Sequence, residues 1–121
     1  MEIKKIDLQP NPRPVESNSS QQIFLSVIIG NGDIGGNYVT LNDSFLIKGD
    51  FSHAVLLGTI DSLRGKIVQI MTNVLDNSPS DTSVITTTFS NENGIKLFNK
   101  VDQDKISAGG GLSYVGNYLI L

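Results

Sequence analysis

The chain has 121 residues, with nine basic and twelve acidic side chains, a net charge of −3, one histidine and neither cysteine nor tryptophan; a polymer of this length builds one hydrophobic core, not several. Its Lys and Arg residues are scattered, only Lys4 and Lys5 being adjacent, and are outnumbered by carboxylates, so no basic stripe exists to release counterions from nucleic acid, and no apolar run approaches the roughly 20 residues of a membrane-spanning helix. Ile, Val and Thr supply thirty residues against two Ala and three Glu, a bias toward pleated rather than helical backbone.

Residues 1–22 read as an extended N-terminal arm. A short piece bearing Ile3, Ile6 and Leu8 leads into Pro10, Pro12 and Pro14, whose fixed φ forbids a helix and keeps the chain extended. Strand pairing is satisfied equally well by the chain's own sheet or by a neighbouring copy, so the arm is either a local edge strand or an exchange element. Lys4 and Lys5 are followed by no apolar leader region, and a cytoplasmic location is therefore expected.

Residues 23–121 read as a single domain of short strands. In 23–29, Ile23, Leu25, Val27 and Ile29 share one face and Phe24 and Ile28 the other, the pattern of a strand covered on both sides. Four glycines in 30–37 predict a loop of positive-φ residues. The spacing Gly30-x-Gly32-x-x-Gly35 matches a dinucleotide fingerprint by letter only, because a strand and not a helix is predicted to follow it. Strands at 38–41 and 45–47 form a hairpin through Asn42-Asp43-Ser44, and 54–60 is a further strand with a bulge expected at Gly58.

Segment 62–75 carries two periodicities. Leu63, Ile67, Ile70, Met71, Val74 and Leu75 fall at helical spacing, while Val68, Ile70, Thr72 and Val74 alternate as in a strand; Gly65 and the β-branched residues favour the strand, with a single helix as the alternative. A hairpin-like turn is expected at 76–81. The threonine-rich strand that follows sets Val84, Thr86 and Thr88 on one face and suits a sheet edge or a face that meets another protein. A turn at 91–94, a strand at 95–101, a loop at 102–111 and a closing strand at 112–121 complete eight or nine short strands, the pattern of an all-β, antiparallel β-sandwich.

Catalytic chemistry is thinly represented. His53 lies within three residues of Asp50 and Ser52, but a triad gathers its members from separated segments, and so local a string aligns them only if its loop folds back. With one histidine and no cysteine, only hard oxygen ligands remain and zinc is excluded. Asp33, Asp76 with Asp81, and Asp102 with Asp104 are the carboxylates available to calcium, none at the regular Asp-x-Asp-x-Asp-Gly spacing, and neither a metal nor a cofactor is expected. For glycan stacking the supply of aromatics is small: the phenylalanines are expected in the core, Tyr38 at the surface, and Tyr114 and Tyr118 beside a sheet edge.

The chain is thus expected to be a non-enzymatic protein–protein interaction or assembly subunit, forming a homo-oligomer or docking in a larger complex. Ile3, Ile6, Leu8, Thr86, Thr88 and Tyr118 are the expected contact residues. A glycan- or calcium-dependent ligand-binding module using the loops at 30–37, 76–81 and 102–111 is the alternative, and a small hydrolase using His53 the third reading.

Overall fold

A computed structural model describes residues 2–121. These residues form ten strands and one helical turn: β1 (Ile3–Asp7), β2 (Arg13–Val15), β3 (Gln22–Ile29), β4 (Ile34–Leu41), β5 (Ser44–Gly49), β6 (Val55–Thr59), α1 (Ile60–Leu63), β7 (Ile67–Leu75), β8 (Thr82–Asn91), β9 (Lys96–Lys105) and β10 (Gly111–Ile120). They make a β-sandwich of two sheets. One runs β1-β10-β7-β4-β5 with β2 also on β10; the other runs β6-β3-β8-β9.

Period-2 alternation puts one side of each strand into the layer between the sheets. Ile23, Leu25 and Val27 of β3 and Ile85 and Phe89 of β8 meet Val68, Ile70 and Val74 of β7 and Leu112, Tyr114, Tyr118 and Ile120 of β10. The strand pattern prevails in 67–75. Helix survives only as the single turn α1, whose N-cap Thr59 accepts the Ser62 N–H and which buries Ile60 and Leu63; Gly65, at φ +78°, then turns the chain into β7.

The strand count exceeds the expected eight or nine, and the sandwich is not wholly antiparallel. The arm lies along its own domain: β1 and β2 both pair with β10 in parallel, Ile3 opposite Gly111 and Val15 opposite Ile120. The loop at 30–37 and the connection at 76–81, the latter expected as a hairpin, both cross between sheets, from β3 to β4 and from β7 to β8. In the first, Asn31 and Gly32 supply the positive φ, while Gly35 and Gly36 belong to β4. Gly35 is needed for closeness: a Cβ there would lie 1.8 Å from the Asn73 carbonyl oxygen. The hairpin at Asn42 and Asp43 forms as expected, with both residues at positive φ, the geometry that two-residue hairpins require.

Strands at the antiparallel edges share one device. Where β5 meets β4, β6 meets β3 and β9 meets β8, the register slips by a residue, and the extra residue is a leucine each time: Leu46, Leu57 and Leu97. All three pack on the core. A bulge bends an edge away from regular pairing, so these edges are closed by leucines turned inward and are poor templates for another strand. The bulge expected near Gly58 is the second of them.

Candidate functional site

The arm is anchored by an ion pair. Arg13, 2% exposed, donates from Nη1 and Nη2 to the two oxygens of Asp102 at 2.8 Å each. Its Nε and Nη2 also donate to the Gln9 carbonyl at 3.2 and 3.0 Å, and Nη1 reaches the Tyr118 hydroxyl at 3.4 Å. Burial by itself lowers the guanidinium's affinity for its proton, but the bonds and charge of Asp102 together with Tyr118 outweigh it and hold Arg13 above its ordinary pKa. Asp102 lies on β9, which runs on to Lys105, rather than in the loop expected at 102–111. Asp104 faces Lys4 at 3.7 Å. The pair weighed as calcium ligands from the sequence is occupied by cations of the chain itself.

Other expectations are redirected in the same way. Leu8 and Tyr118 are buried in this domain's own core and Ile6 packs against it, so of the three arm residues expected to make contacts Ile3 alone is exposed, at 59%. Tyr118 is not at a sheet edge: it packs on Phe89 and Phe98, with ring centroids 4.9 and 5.4 Å away. Tyr114 is buried and donates to Ser83 Oγ at 3.1 Å. The threonine strand is interior to its sheet, between β3 and β9; Thr86 and Thr88 are half-buried on its outer face, opposite Val101 and Asn99. His53 is exposed, and the Asp50 carboxylate accepts the Ser52 backbone N–H. That bond closes a local turn, and no hydrogen bond links the side chains of Asp50, Ser52 and His53 among the described residues.

The most distinctive surface lies on the outer face of the larger sheet. β4, β7 and β10 contain no charged residue, and cross-strand register lines up Val115, Met71, Tyr38 and Lys48 in one row. Phe45, expected in the core, is 55% exposed and Tyr38 is 42% exposed; their rings pack with centroids 5.1 Å apart. Phe45 escapes burial because the bulge at Leu46 shifts the alternation of β5 and gives the inward place to leucine. Beside the aromatic pair lies a shallow groove of about 440 Å³ lined by Gly36, Asn37, Tyr38, Lys48, Gly49 and Asn73.

The floor of that groove is braced from within. Asn37 accepts from the Thr72 hydroxyl at 2.7 Å and donates from Nδ2 to the Gly49 carbonyl at 3.3 Å, so a buried amide ties β7, β4 and the end of β5 together. Gly36 supplies no side chain, and a Cβ there would meet nothing closer than 3.8 Å, which leaves the hollow open. Along the same face, Gln69 donates to Asn117 and Asn117 to Asn11, each at 3.0 Å, a neutral polar ladder in place of charges. The pairing of a protruding aromatic couple with an adjacent hollow was hidden in the sequence by the bulge; the absence of charge from three strands was its one legible signal.

No helix is long and apolar enough to cross a membrane among the described residues. Compared with family models, with curated proteins and with solved structures, the chain matches none.

Proposed function

We propose that this domain is a non-enzymatic assembly module that pairs with a second copy of itself through the outer face of the larger sheet, anchored by Tyr38 and Phe45. One observation carries the reading: an exposed aromatic couple stands beside a glycine-lined hollow on a sheet face whose three central strands carry no charge. A two-fold interface must be self-complementary, and a knob next to a hole meets that requirement, each copy's rings entering the other's hollow. The centre of the face meets its own copy with little like-charge opposition, Lys48 at one margin and the mutually neutralising Lys5 and Asp7 of β1 at the other being the exceptions. Bulged edges favour contact through the face rather than through continued strand pairing.

Sedimentation across a micromolar concentration series tests this. A dimer that Tyr38→Ser with Phe45→Ser converts to a folded monomer supports the proposal. A mass that stays monomeric at high micromolar concentration overturns it, as does a dimer that survives those substitutions and is lost on Val101→Lys, on the outer face of the opposite sheet.

The same groove supports a second reading, binding of a small glycan, since Tyr38 offers a ring face and Asn73 and Lys48 offer polar groups beside it. Isothermal titration with a panel of oligosaccharides separates the two: saturable heat that Tyr38→Ala abolishes belongs to the glycan reading alone.

A further inference from the structure

At one end of the sandwich, far along the chain from each other, two aspartates come side by side. Ile34 of β4 pairs with Leu75 of β7, and the next step of that antiparallel register sets Asp33 opposite Asp76. Their common side is the inner one, because Ile34 points outward and is exposed and side chains alternate along a strand. Each carboxylate is held by one oxygen. Asp33 Oδ1 accepts the Asn77 N–H at 3.0 Å and the Ser78 hydroxyl at 3.2 Å, and Asp76 Oδ2 accepts the Gly109 N–H at 2.8 Å.

The second oxygen of each is left over. Asp33 Oδ2 and Asp76 Oδ1 are shielded from solvent and have no hydrogen-bond partner, and Asp33 as a whole is only 7% exposed. A buried carboxylate oxygen with nothing to accept is costly, and two such oxygens lie at this one end of the sandwich. Native interiors resolve such a conflict with a proton, a water or a cation.

We infer that Asp33 and Asp76 bind a calcium ion, held between the loops at 30–33, 76–81 and 106–110. The donor chemistry selects the metal. No cluster of three or more acidic, His or Cys side chains occurs among the described residues, so the ion takes two carboxylates and completes its shell with neutral oxygens. Ser78 Oγ and the backbone carbonyls of these loops are the nearest supply. Only hard oxygens are present, which excludes zinc and copper. Magnesium demands a near-octahedral shell and keeps several waters, whereas calcium accepts irregular sets of six to eight oxygens, as three converging loops would present. Beside the site a cleft of about 210 Å³ lined by Asp33, Asp50 and Ser52 adds negative potential along the approach. Asp81, weighed as the partner of Asp76, is exposed and accepts from Thr82 instead. Two carboxylates are few for a calcium site, which places affinity in the weak range, a dissociation constant of about 10⁻⁴ to 10⁻³ M.

The test is calcium titration of the full chain after chelator dialysis, followed by calorimetry and by thermal melting. Calcium at ten times its dissociation constant is expected to raise the melting midpoint by about 5 °C. Asp33→Asn and Asp76→Asn are each expected to remove that response while remaining folded, since an amide keeps the one accepting oxygen each uses, and Asp81→Asn is expected to keep it. No heat and no shift at 10 mM calcium overturns the inference. So does an equal response to magnesium, a response that persists in both variants, or stabilisation on acidification with no metal dependence, which would mean that the two carboxylates share a proton.

Discussion

Arg13 and Asp102 stand 89 positions apart and meet through two hydrogen bonds of 2.8 Å, joining the arm that runs on the larger sheet to the outermost strand of the smaller one. Arg13 is 2% exposed and the Asp102 side chain 11%. Removing one member of so enclosed a pair leaves the other charged without a partner, so Asp102→Asn or Arg13→Met is expected to destabilise the fold by about 3–5 kcal/mol. Urea denaturation measures this. The double change Arg13→Met with Asp102→Leu is expected to lose markedly less than the sum of the two, because no lone charge remains; additive losses would show that the two groups act independently.

The arm's contacts predict what truncation does. Val15 is fully buried and Leu8 nearly so, and β1 and β2 cover one edge of β10 over most of its length. Deleting residues 1–22 is expected to abolish the cooperative thermal transition rather than merely change the mass in solution. Ile3→Ser, at an exposed site, is expected to shift stability by less than about 0.5 kcal/mol. A truncated chain that melts cooperatively near the full-length midpoint would show that the arm is dispensable.

Two neighbouring glycines in β4 are expected to behave oppositely. A methyl group at Gly35 would sit 1.8 Å from a backbone oxygen of Asn73, whereas at Gly36 its nearest neighbour is 3.8 Å away. Gly35→Ala is expected to cost more than about 2 kcal/mol through forced backbone displacement. Gly36→Ala is expected to be near neutral for stability while filling part of the hollow beside Tyr38, so it also weakens any contact made there. Chemical denaturation reads the first effect and sedimentation the second.

Burial raises the phenol pKa of both Tyr114 and Tyr118, Tyr118 despite the opposing influence of Arg13. The folded protein then holds these protons more tightly than the unfolded chain does. Stability from this source is fully present below the ordinary tyrosine value of about 10 and is lost as the pH rises above it, toward and through the folded-state values. Absorbance at the tyrosinate band is expected to show Tyr114 and Tyr118 ionising above the ordinary tyrosine value, together with loss of the far-ultraviolet strand signal. Ionisation of Tyr114 and Tyr118 at the ordinary value in a still-folded protein would contradict this.

The sandwich was legible because burial in a sheet is written in a two-residue period. Ile23, Leu25 and Val27, or Ile85 and Phe89, declare their inner face within a single segment, and Asn42-Asp43 declares its turn by residue type. Where local rules compete, the outcome was less plain: 62–75 supports two periods, and burial against β4 and β10 selects the strand. Phe45 and Tyr118 exchanged their expected places, one exposed by a bulge and the other drawn in beside Arg13.

Local alternation, turn chemistry and the shortage of charge and alanine were enough to specify pleated strands stacked in two layers. Which strands become neighbours, that the arm runs parallel to β10, that Arg13 finds Asp102, and that Asn77 and Ser78 reach Asp33 were decided only when the sheets assembled. Such meetings join positions tens of residues apart, and their energy depends on register and enclosure together, quantities that no stretch of chain contains until the whole has packed.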